Sequence, residues 1–148
     1  VIDLRRLRES HRRFLAQHRA AVSEELHRAA QEGVAEVQRN PGFKPRSGAL
    51  QRATQGKVIR TRSGGIVRLR NPLRHAGPID KGSPPHVILP RRAKVLRFTN
   101  AAGAVVFTRR VNHPGNRAFH FLSRARDQAG QRFHTRMTRR MVAIARRF

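Results

Sequence analysis

An α+β fold is what this 148-residue sequence predicts: a small antiparallel sheet of about four strands in two hairpins, packed by a long N-terminal helix and a long C-terminal helix. Three observations point there. Apolar residues recur at three- and four-residue steps from Leu4 to Val37. Two stretches between residues 48 and 111 read as strand, turn, strand, and a second helical stripe lies beyond Asn116. The expectation is a single domain over 1–148, with helix over 1–39, sheet over 48–111 and helix over 116–147.

The first helix rests on Leu4, Leu7, Phe14, Leu15, Val22, Leu26, Ala30, Val34 and Val37, one face of a 3.6-residue repeat. Asp3 suits the positive end of the helix dipole, Gly33 weakens the middle, and Asn40-Pro41-Gly42 ends the run. At ~1.5 Å per residue it is about 50 Å long, more than so small a domain needs, so part of it is expected to pack on another subunit. His11 and His18 fall on or beside the stripe, one heptad apart. They read either as packing histidines or as a pH-sensitive subunit contact.

Residues 43–48 read as a linker and 48–54 as a short helical turn. Residues 56–62 and 65–71 alternate apolar and basic side chains, with Ser63-Gly64-Gly65 as the hairpin turn. Alternation places Val67 and Leu69 on one face and Arg68 and Arg70 on the other. The expected sheet has an apolar side and an arginine side, the latter offering Arg60, Arg62, Arg68 and Arg70 to DNA or to an acidic partner. Residues 71–93 form a connection interrupted by Pro72, Pro78, Pro84, Pro85 and Pro90. Loops of that length are uncommon in compact domains unless they bind something. The candidate partner-binding residues there are Arg74, His75, Asp80, Lys81, His86, Arg91 and Arg92; a disordered spacer is the other reading.

The second hairpin runs from Val95–Thr99 through Asn100-Ala101-Ala102-Gly103 to residues 104–111. Gly103 supplies the positive φ that the turn demands. His113-Pro114-Gly115 then stops the sheet, because Pro114 has no N–H for a ladder, and Asn116 is a natural N-cap for the last helix. That helix carries its stripe at Phe121, Leu122, Ala125, Ala129, Phe133, Met137, Met141, Ile144 and Phe148, with Gly130 as a point where it could bend.

This order of parts resembles the tail-component family of long-tailed double-stranded DNA phages, the tail-completion or neck proteins grouped with the minor tail protein Z of phage lambda. The matching segments are GALQRA at 48–53, PHVI at 85–88, LRF at 96–98, VVF at 105–107, VNHPG at 111–115 and FLSRA at 121–125. The resemblance covers roughly residues 45–148. It departs at 71–83, where the family has a Tyr-Ala…Glu-x-Gly segment and this chain has neither tyrosine nor glutamate. The resemblance implies a virion structural protein, one subunit of a homo-oligomeric and six-fold ring in the neck or upper tail, assembled in the host cytoplasm. Its partners would be the head-side connector and the tail terminator or tail tube around the DNA path.

Charge is the strongest compositional signal. The net value is +25, and 29 of the 33 basic residues are arginine. Residues 1–36 hold seven arginines against six acids, whereas 37–148 hold 26 basic residues against only Asp80 and Asp127. The first helix is expected to balance itself; the rest would repel itself unless phosphates or acidic protein faces lie nearby. A hydrophobic content of 38% is low for a self-sufficient globule, so some stability is expected from neighbours. Cysteine is absent, which excludes disulfides and thiolate metal sites. No apolar run approaches bilayer length and no signal-peptide pattern is present, so the expected setting is a cytoplasm or a particle built there.

Catalysis has little to work with. The eight histidines show no metal-ligand spacing, and two carboxylates after residue 36 leave almost no oxygen ligands or general bases. No nucleophile elbow frames a serine, and Ser63-Gly64-Gly65 lacks the Lys-Ser/Thr of a phosphate loop. The expectation is no enzyme, no cofactor and no metal. The alternative function is a stand-alone basic protein gripping the nucleic-acid backbone, since Trp and Tyr are absent and stacking is weak.

Overall fold

The computed structural model describes residues 3–45, 47–62, 64–100 and 102–147. Arg46 of the linker, the turn residues Ser63 and Ala101, and Phe148 of the last stripe lie outside the described residues. The chain order is α1 (Leu4–Arg39), α2 (Ala49–Ala53), β1 (Gln55–Thr61), β2 (Gly64–Arg70), α3 (Ala76–Lys81), β3 (His86–Ile88), β4 (Leu96–Thr99), β5 (Val105–Thr108), β6 (Val111–His113) and α4 (Phe121–Ala145). The α+β class holds: α1 and α4 pack together, and small antiparallel sheets lie between them in the sequence. Among the described residues the strands pair as β1–β2, β4–β5 and β3–β6, three two-stranded sheets where about four strands were expected.

The chain divides into two compact units, Val1–Ala76 with His120–Phe148, and Gly77–Phe119. The first contains α1, α2, α4 and the β1–β2 hairpin. Asp3 caps α1 by accepting from the N–H groups of Arg5 and Arg6. At the other end the Asn40 N–H donates to the Glu36 carbonyl and Pro41 stops the helix. Its buried face is narrow and made mostly of small residues, Ala21, Leu26, Ala29, Ala30, Gly33 and Val37, and packs both on the β1–β2 hairpin and on α4, which buries Phe121, Ala125, Ala129 and Ile144. Small side chains let elements approach closely. A Cβ on Gly33 would stand 2.6 Å from Leu69 Cδ1, and one on Gly56 would stand 2.5 Å from the Ala30 carbonyl oxygen. Gly33, a weak helix former, is thus the seat of a β2 side chain. Phe43 meets Phe121 edge-on, with ring centres 5.6 Å apart. Asn71 fixes the exit of β2 by donating to the Leu50 carbonyl and to Thr54 Oγ1.

In the second unit two departures from expectation trace to particular hydrogen bonds. The strand expected over 104–111 breaks at Arg109. Thr108 Oγ1 donates to the Arg110 carbonyl and accepts from the Arg110 N–H, a turn that lets residues 111–113 leave β4. They pair instead with 86–88, inside the segment expected to lack secondary structure. Pro85 and Pro90 bracket that short strand, and neither can extend a ladder. The final helix begins at Phe121, five residues after Asn116. Asn116 does not cap it: its side chain accepts from Ser83 Oγ and donates to the Pro78 carbonyl, while its backbone exchanges two hydrogen bonds with Ser83. The capping position falls to His120, at φ 51° with no side-chain cap bond. Gly103 adopts φ 82° as its turn requires.

Candidate interaction surfaces

The charged residues sort into three groups by what they face. The first is a seam between α1 and α4. Glu36 pairs with Arg132, Glu32 with Arg136, Glu25 with both Arg136 and Arg140, and Glu24 with Arg140. The order runs downward on one helix and upward on the other, so the helices are antiparallel. Five of these seven residues sit beside an apolar stripe position: Glu25 before Leu26, Glu36 before Val37, Arg132 before Phe133, Arg136 before Met137, Arg140 before Met141. Such flanking positions meet across a helix pair and fix its register. Glu25 is the centre, only 3% exposed, with Arg136 Nε at 2.7 Å. Its hydrogen bond to Arg136 outweighs desolvation and holds its carboxyl below the usual value, and the hydrogen bond from Arg140 does the same for Glu24. Both guanidinium groups are correspondingly pushed up. One nitrogen of the network, Arg136 Nη2, is buried without a partner among the described residues.

The seam revises the expected charge balance. The acids of α1 are not spent solely on its own arginines; four of the six also neutralise α4. What remains in the first half of α1 is Arg5, Arg6, Arg8, Arg12, Arg13 and Arg19 against Asp3 and Glu9. That half holds no fully buried residue: the first buried residue of the helix is Ala21, while Leu4 and Leu7 are 62% and 58% exposed. His11 is exposed and His18 half-buried, stacked on Phe14.

The second group is the β1–β2 hairpin, and it does not present one arginine face. Lys57 pairs with Arg68 and Gln55 with Arg70, so Lys57, Arg68 and Arg70 share the outer face. Arg60 pairs with Gly65 and has the same parity as Val58, which puts it on the opposite side. Arg62 follows β1 in the turn. Arg60 and Arg62 line a cavity of about 570 Å³ with Arg19, Val22, Leu26 and Val58.

The third group is dispersed. Arg74 and His75 precede α3, Asp80 and Lys81 lie within it, and Arg91 and Arg92 are exposed beyond β3. His86 opens β3 opposite His113, ring centres 4.9 Å apart, and its Nδ1 lies 3.0 Å from the Pro84 carbonyl. His113 Nδ1 accepts the Gly115 N–H. Arg74 and His75 belong to one compact unit and the others to the second. Among the described residues no three His, Asp or Glu side chains form a group able to hold a metal. Among the same residues no helix is long and apolar enough to cross a membrane. No protein-family model, no curated protein and no solved structure matches this chain.

Proposed function

We propose that this chain is a structural subunit of a bacteriophage neck or upper tail, one member of a ring joining a head-side connector to a tail terminator around the DNA path. The order of motifs from GALQRA to FLSRA supports that family, and one observation carries the need for neighbours. Not one described residue from 77 to 119 is buried. Leu89 and Phe107 are 59% and 63% exposed, and Val87, Val95, Phe98 and Val105 are exposed with them. Two-stranded ladders are marginal in water by themselves, and a large exposed apolar surface marks an interface. Head-to-tail contacts between copies would close the ring and cover this surface. Binding by complementarity, without catalysis, is its mode of action.

Mass photometry of the chain mixed with head-side and tail-side neck proteins tests the reading. A discrete higher-mass species containing this chain is expected; mixtures that never incorporate it refute the proposal. The grouping of Lys57, Arg68 and Arg70 on one outer face favours the second reading, a stand-alone protein binding nucleic-acid backbone. Tight DNA binding by the isolated chain with a steep salt slope would support that reading instead.

A further inference from the structure

The cavity between α1 and the turn end of the β1–β2 hairpin has a two-part lining. Val22, Leu26 and Val58 form an apolar floor, and Arg19, Arg60 and Arg62 stand around it. No acid lines it, and none of these three arginines makes an ion pair among the described residues. That contrasts with Arg132, Arg136 and Arg140, each held by a glutamate. The hairpin geometry keeps the site open. Gly65 faces Arg60 across the ladder and offers no side chain to cover it, and a Cβ there would stand 2.9 Å from Leu26 Cδ1.

We propose that this cavity binds an acidic peptide segment of a partner protein, an apolar side chain seated on the floor and its flanking carboxylates paired with Arg19, Arg60 and Arg62. Guanidinium forks match carboxylates in a bidentate geometry, and an apolar floor rewards an anchor that a phosphodiester chain lacks. A nucleic-acid strand would be expected to use a free stacking platform, and the one aromatic ring lining the cavity among the described residues is the imidazole of His18, already stacked on Phe14. The basic first half of α1 leads into the site through Arg19, extending the field that attracts an acidic segment. The inference rests on the reading of this chain as an assembly subunit, but its test needs only the isolated protein.

Fluorescence anisotropy at physiological salt would use a labelled synthetic peptide of alternating Glu and Leu, a Glu/Gly peptide of equal charge, and a short thymidine oligonucleotide. The Glu/Leu peptide is expected to bind most tightly. The Arg60→Ala/Arg62→Ala double variant is expected to weaken it about tenfold. Arg68→Ala/Arg70→Ala removes the same charge from the outer face and is expected to leave it within about twofold. Circular dichroism checks that both variants melt like the parent. Equal losses in the two variants, absence of Glu/Leu binding, or equal affinity for the Glu/Gly peptide or the oligonucleotide would each overturn the proposal. Such a failure leaves the mass-photometry test of assembly standing on its own.

Discussion

The helical unit and the 77–119 unit meet the cost of ordering a chain in opposite ways. The first buries Phe121 and Val37 completely, closes alanine-lined faces on one another, and locks the register with a four-glutamate seam. The second folds its ladders through local turns, prolines and the Ser83–Asn116 clasp, with no buried side chain among its described residues. Backbone hydrogen bonds alone give modest net stability, so the second unit is shaped but not secured. The contrast teaches that one part of the chain carries its own stability, while the other carries exposed apolar surface that the proposed function would have neighbours cover.

The contrast can be broken at its strong end first. Phe121→Ala should cost about 3–5 kcal/mol by opening a cavity against Phe43, read as a large drop in the urea midpoint. Glu25→Gln leaves Arg136 without its closest carboxylate and should cost about 2 kcal/mol, less than a wholly buried pair because Arg136 is partly exposed. Acid should act on the same seam. Folding holds the Glu24 and Glu25 carboxyls below their ordinary values, so the unfolded chain takes up protons first as pH falls. Their contribution is complete above the ordinary glutamate range and is lost as pH drops through the folded values. Denaturation series at neutral and acidic pH should show that loss in the parent and a smaller one in Glu25→Gln. At the weak end, Phe107→Ser should change stability by no more than about 0.5 kcal/mol while abolishing incorporation into the proposed neck assembly.

Much of the frame was legible in the residues because it is locally encoded. Three- and four-residue apolar steps marked both long helices, and Asp3, Asn40-Pro41 and Gly103 marked their ends and turns. What escaped was set by distant partners. The β3–β6 ladder joins three-residue strands far apart in sequence, and three residues carry no periodicity to read. Asn116 looked like a helix cap because nothing near it announced Ser83. The seam was readable in principle from glutamates and arginines flanking facing stripes, but the whole-helix charge count hid their separation from the N-terminal arginines. The supposed single arginine face failed on parity: Val58 and Arg60 are two residues apart, so whatever side Val58 takes, Arg60 shares.

Hydrogen exchange on the isolated chain, repeated after mixing with the proposed head-side and tail-side neck partners, tests the central claim most directly. Alone, amides in 21–39 and 121–145 should exchange slowly and those in 4–20 and 77–119 quickly, with the fast segments becoming protected on assembly. Uniformly slow exchange through 77–119 in the isolated protein, or fast exchange there that assembly leaves unchanged, would contradict the account.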